Sequence, residues 1–229
     1  MKTRSSGPLD ATGPQTRGAN KSTLRLVSWN MQGSGSNATK KAKLRMLMAR
    51  KDLDGILLQE CGRLDEWSEE VTKAGCHMDH EQWGEGNPRC SMAFIARFPV
   101  HCRRVPGRKK GLRPLLTTTI KGVEVTNVHG PSGGSPGYVA SEIKGAAQRA
   151  MNRPFVVAGD MNARPIVLGA HLPDNIRIAS SGCTTQQSGG ELDYAAHHPS
   201  MSGTVKTLPL GDSDHFPIEI VMDLKTPSP

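Results

Sequence analysis

Residues 159–165 read GDMNARP and follow directly on the apolar run Phe155-Val156-Val157-Ala158. A strand that runs into a core can simply finish in a polar turn. It can also deliver Asp160 and Asn162, two residues apart, to one side of a site, because alternate side chains of an extended chain share a face. Spacing alone leaves both readings open.

Working outward from this stretch, other strand-like runs end in the same way. LRLVSWN (24–30) ends on Asn30, LDGILLQE (53–60) on Glu60, and VEVTNVH (123–129) on His129. Downstream, LDY supplies Asp193, and SDH supplies Asp214 and His215. The runs SMAFIAR (91–97) and PLLTTTI (114–120) also read as strands, with a tight hairpin at Lys121-Gly122 before VEVTNVH. NIRIAS is a weaker strand, and GELDYAAHH and HFPIEIVMDL complete the set. Between them, SNATKKAKLRMLMAR predicts a helix capped by Asn37, with Leu44, Leu47 and Met48 on one face. LDEWSEEVTKAG predicts another, stopped by Gly75. A third is predicted over 137–152, with Val139, Ile143, Ala146, Ala147 and Ala150 inward. Several strands with a few intervening helices predict two sheets packed face to face with helices outside.

Composition agrees with that outline. The 229 residues suffice for one sizeable domain, and 25 Gly with 16 Pro favour many turns and short strands over a helical bundle. Residues 1–22 read as a flexible basic tail, leaving 23–225 as the domain. No apolar stretch approaches the roughly 20 residues needed to span a bilayer. The N-terminus contains no apolar core of a secretory signal. The expectation is a protein that stays inside, or one exported by another route or through a leader removed from this chain.

The formal net charge of +8 is unevenly spread. Residues 1–50 hold ten Lys or Arg against one acid, Asp10, and residues 97–121 hold eight and no acid. Residues 52–85 hold ten acids against Arg63 and Lys73. Basic segments of this kind suit a polyanion such as nucleic acid or anionic lipid head groups. The bland alternative is a soluble basic surface. The five cysteines match no standard zinc spacing, and reduced thiols are the expectation. Ser28, Ser132 and Cys61 have no base at a convincing position, so a covalent nucleophile is not expected. GPSGGSPG fits no phosphate-loop pattern and reads as a flexible turn.

A Glu ending a strand is usually a solvated edge. Together, however, these residues supply what metal-assisted phosphodiester hydrolysis requires. Hard oxygen ligands hold Mg²⁺, a carboxylate and an amide orient water, and imidazoles hold phosphoryl oxygens. WNMQG, LLQE, NVHG, GDMN, LDY and SDH, in this order, resemble the endonuclease/exonuclease/phosphatase superfamily. That group includes DNase I, abasic-site endonucleases and inositol polyphosphate 5-phosphatases. WNMQGSGS, GLRPLL, HGPSGG and GGELDYAA look most like the nuclease component of cytolethal distending toxins.

The resemblance covers roughly residues 24–222 and implies an α/β (α+β) fold, a four-layer α/β/β/α sandwich of two mixed sheets flanked by helices. It implies Mg²⁺, with Mn²⁺ or Ca²⁺ as supporting ions, held by Glu60 with Asn30 and Asp214 beside it. Asp160 would orient or deprotonate the attacking water, and Asn162 would fix its neighbours and the phosphate. His215, held by Asp193, would contact the phosphate, with His129 as a second phosphate-facing ring and proton donor. Arg113 would grip phosphate, a task that suits a planar fork. The implied activity is nicking of double-stranded DNA by a monomeric catalytic unit, joined by delivery subunits if the likeness to toxins extends to assembly. A phosphoinositide or inositol phosphate phosphatase needs the same core, and a catalytically silent binding module could keep the fold. The span from Glu60 to Ser91 looks trimmed against toxin relatives, and Arg89 within it reads as solvated or DNA-facing. His197 and His198 match no motif and read as structural.

Overall fold

Twelve strands and four helices follow one another in the computed structural model, which describes residues 23–33, 37–63, 65–84, 86–106, 113–209 and 212–224. The tail expected over 1–22 lies outside the described residues. The first half runs β1 (Thr23–Asn30), α1 (Ala38–Ala49), β2 (Gly55–Gln59), α2 (Asp65–Lys73), β3 (His77–Gln82), β4 (Ser91–Ala96), β5 (Arg103–Val105) and β6 (Leu115–Ile120). The second runs β7 (Val123–His129), α3 (Pro136–Ala150), β8 (Phe155–Asp160), α4 (Pro165–Gly169), β9 (Arg177–Ala179), β10 (Asp193–His197), β11 (Met201–Thr207) and β12 (Ile218–Leu224).

The strands form two six-stranded sheets, ordered β11-β12-β1-β2-β4-β3 and β5-β6-β7-β8-β10-β9. Each sheet has one parallel pair at its centre, β1 with β2 and β7 with β8, and antiparallel neighbours elsewhere. Both are therefore mixed. Leu24, Leu26, Phe94, Val125, Val156 and Ile220 belong to the core between the sheets. Trp29, Leu44, Leu47, Met48, Trp67 and Ile95 pack α1 and α2 onto the first sheet. Val139, Ile143, Phe155, Val157 and Leu168 pack α3 and α4 onto the second. The result is the four-layer α/β/β/α sandwich.

Local chemistry explains the boundaries. Asn37 Oδ1 accepts from the backbone N–H groups of Thr39 and Lys40, which caps α1. Lys121 and Gly122 both adopt positive φ, 49° and 77°, so the β6–β7 hairpin turns in the sense that matches strand twist. Four elements escape the sequence pattern: β3, β5, α4 and β11. They are short, or lie at or next to sheet edges, where one-sided burial leaves polar runs such as HMDHEQ in β3.

Candidate active site

Strand register brings the predicted residues together at one end of the sandwich. His129 and Asp193 are the direct cross-strand partners of Asp160, on β7 and β10 either side of β8. Asn30 pairs with Gln59 across β1 and β2, so Glu60 stands one residue beyond. Asp214 and His215 lie just before β12, which pairs with β1. Both sheets thus contribute, and the sheet interface passes through the site.

Asp160 is buried at its centre. Its Oδ1 accepts from the Asn162 backbone N–H at 2.9 Å. Its Oδ2 accepts from Asn30 Nδ2 at 2.9 Å and Asn162 Nδ2 at 3.1 Å. Burial, and then the negative charge of Asp193, push the Asp160 carboxyl well above the usual carboxylate range, against His215 and these hydrogen bonds. This is a carboxylate of unusual basicity, oriented by two asparagines.

His215 Nδ1 lies 2.7 Å from Asp193 Oδ2, and its Nε2 is 3.8 Å from Asp160 Oδ2. Burial works against the charged ring. The hydrogen bond and charge of Asp193, with Asp160 and Asp214, outweigh it and raise His215 to about 9. Burial also raises Asp193 against the pull of His215. The short bond favours the imidazolium–carboxylate form. Thr185 Oγ1 accepts from the backbone N–H groups of Leu192 and Asp193, pinning the strand start that carries the acid.

Glu60 marks the other half. Its φ is +46°, and Gln32 and Asn162 are likewise left-handed at +52° and +49°. Non-glycine residues in this region carry strain of order 1–3 kcal/mol each, and three cluster here. Burial raises the Glu60 carboxyl, as do the charges of Asp160 and Asp214, while Arg89 and Arg113 oppose them. Asn30 Oδ1 accepts from Gln32 N–H, and Asp214 N–H donates to Gln32 Oε1.

His129 Nε2 lies 3.5 Å from Glu60 Oε1 and 3.7 Å from Asp160 Oδ2, joining the halves. Burial, then Arg113 and His215, hold this ring well below the usual histidine range, so it is neutral at pH 7. Arg113 donates to Gly130 O at 2.6 Å and Ser132 Oγ at 3.1 Å. Asn162 Nδ2 also donates to Gly130 O, at 2.9 Å. Arg89, largely exposed, leans over Glu60 with Nε 3.7 Å from Oε2.

Every residue singled out by motif is therefore in this one cluster. His197 and His198 stand apart, engaged with the His198 carbonyl and with Ser200. Cys76, His77, His80 and Cys90 form no compact metal group, and the five cysteines are free thiols. Among the described residues the one group of three or more His, Cys, Asp or Glu with ligand atoms within 4.8 Å of one another is Asp160, Asp193 and His215. Its imidazole is already committed to Asp193.

Sequence reasoning missed Lys40, whose buried ammonium donates to Met31 O at 2.5 Å near Asp214 and Glu60. Its signal was a lysine in the first turn of α1, where the helix dipole disfavours a cation. It also missed Thr185, which no spacing marks.

The sequence matches the profile of the Endonuclease/Exonuclease/phosphatase family over residues 27–215. No curated protein matches it significantly. Solved structures share the fold. CdtB, the biologically active subunit of cytolethal distending toxin, aligns with a TM-score of 0.70 and 17% identity over 86% of this chain and 96% of its own. The Haemophilus ducreyi cytolethal distending toxin aligns at 0.66 and 20% over 86% and 97%. Truncated Caenorhabditis elegans TDP2 aligns at 0.66 and 16% over 88% and 98%.

Proposed function

Since the chain belongs to the endonuclease/exonuclease/phosphatase family, we propose that it is a Mg²⁺-dependent, DNase I-like endonuclease that nicks double-stranded DNA. The observation that carries this reading is the meeting, at one sheet interface, of hard oxygen donors with a water-orienting carboxylate and a charged imidazole. The likeness to toxin components supports a genotoxin-type role, with delivery subunits as partners.

The donor set fits a divalent cation. Glu60, Asp214 and the Asn30 amide oxygen are hard ligands, and the crowding of Glu60, Asp160 and Asp214 is negative charge that a cation would relieve. Bound there, the metal would supply charge neutralisation at the phosphate. The chain's own residues do the rest. Asp160, held by Asn30 and Asn162, orients a water and takes its proton. Charged His215, held by Asp193, donates to a phosphoryl oxygen and stabilises the charge that grows on it. His129, neutral, contributes a hydrogen bond rather than a positive charge. Arg113 and Arg89 flank the mouth as guanidinium partners for phosphate.

Supercoiled plasmid incubated with the protein and Mg²⁺ should become open circle before linear, because one site cuts one strand at a time. Chelation by EDTA and Glu60→Ala should each stop it. Undiminished cleavage in chelator would remove the metal from the account. Turnover confined to phosphoinositide vesicles, with plasmid intact, would move the substrate to lipid phosphates.

A further inference from the structure

One layer beneath the site lies a second, wholly buried set of polar groups. Gln59 and Asn127 have no exposed surface. Gln59 precedes Glu60 in the first sheet, and Asn127 stands two residues before His129 in the second. Gln59 Nε2 donates to Asn127 Oδ1 at 2.7 Å and to Ser28 Oγ at 3.1 Å. Asn127 Nδ2 donates back across the interface to the carbonyls of Leu58 and Ala93, both at 3.0 Å.

The fourth wall is a glycine. Gly159 precedes Asp160 and has φ +148°. A Cβ there would lie 1.9 Å from Val128 O and 3.2 Å from Gln59 Nε2. Only glycine leaves the room that β7 and the amide occupy. Each strand end that carries Asn30, Glu60, His129 or Asp160 is thus tied to, or packed on, this cluster one or two residues earlier, through Ser28, Gln59, Asn127 and Gly159.

Sheet packing does not need such groups. The surrounding interface of Leu26, Leu57, Phe94, Val125, Val156 and Ala158 is apolar, and apolar contact is non-directional. Hydrogen bonds, by contrast, specify distance and angle. The arrangement also carries a cost, because Gln59 Oε1 finds no donor among the described residues. Apolar side chains of similar volume would fill the space without it.

We propose that Gln59 and Asn127 are positioning residues. They lock the two sheets in one register and so set the separation between the Asn30–Glu60 half of the site and the His129–Asp160 half. This rests on the function proposed above. Metal binding by Glu60, Asn30 and Asp214 uses residues of the first sheet and the loop leading into its β12. Turnover requires groups from both sheets. Loss of the brace therefore separates the two properties.

The test compares wild type with Gln59→Met, Asn127→Leu and the double variant. It measures plasmid nicking at saturating Mg²⁺, Mn²⁺ affinity by electron paramagnetic resonance, and thermal midpoint. Each single variant leaves the remaining buried amide one hydrogen bond short and should melt earlier. The double variant removes both amides and should melt within a few degrees of wild type. Its kcat should fall by about tenfold or more, as small misplacements of reacting groups do. KM and Mn²⁺ affinity should stay within about twofold. A double variant with wild-type kcat would overturn the inference. So would one in which midpoint, Mn²⁺ affinity and kcat fall together, since that is loss of structure alone. A wild type that never nicks plasmid contradicts the proposed function and takes this inference with it. An active wild type with an equally active double variant contradicts the inference alone.

Discussion

Arg113 shows how much one side chain's geometry matters. It precedes Pro114, which biases its backbone toward extended conformation, and its guanidinium is anchored on Gly130 O and Ser132 Oγ beside Glu60 and Asp160. A planar fork can hold that loop and still present an N–H to phosphate, whereas an ammonium is a point charge. Arg113→Lys is therefore expected to slow nicking by about tenfold or more. A rate within about twofold of wild type would reduce Arg113 to a surface charge. His215 makes a different claim. Its folded pKa of about 9 exceeds the ordinary value of 6.5, so its charge stabilises the fold fully below about pH 6.5. That contribution, on the order of 3 kcal/mol, is lost as pH rises through about 9. In EDTA, the stability gap between wild type and His215→Gln should shrink over that range in denaturant titrations. A gap constant from pH 6 to 10 would contradict the charged ring.

At the scale of elements, the sequence was most legible where an apolar run ends abruptly. FVVA before GDMN and GILLQ before Glu60 are buried along their whole length, and burial of five or six consecutive residues marks a central strand. Their polar ends could be read because a strand terminus at a sheet interface is where side chains from two sheets converge. Asn37 was equally readable, since a cap needs only local hydrogen bonds. The half-exposed β3 and β11 were not, because such strands can be polar on one face and owe their conformation to pairing with β4 and β12. Lys40 and the Gln59–Asn127 pair were also illegible, since their partners are 9 to 69 residues away in sequence. The β7–β8 contact allows a sharp test. Gly159→Ala would drive a Cβ into Val128 O, and should destabilise the fold by on the order of 3 kcal/mol or more. A thermal midpoint unchanged by this substitution would mean that the two strands sit further apart.

Over the whole molecule, ion pairs among the described residues join the basic segments of the sequence to acidic ones. Arg45 pairs with Glu70, Arg50 with Asp52 and buried Glu219, Arg104 with Asp79 and Glu81, and Lys121 with Asp54. These pairs leave the formal net charge of +8 unchanged, and Arg89 and Arg113 stand beside Glu60 at the mouth. DNA affinity should still fall steeply with salt, as phosphate contacts release counterions. A flat dependence from about 50 to about 200 mM salt would favour a small phosphate ester as substrate. The central claim is that residues from both sheets form one phosphodiester-cleaving site around Asp160. The most direct measurement is the plasmid nicking rate of Asp160→Asn in Mg²⁺, with its circular dichroism matched to wild type. The amide keeps the shape but cannot take a proton, so the rate should drop on the order of a hundredfold or more. A folded Asp160→Asn protein that nicks at close to the wild-type rate would contradict the account.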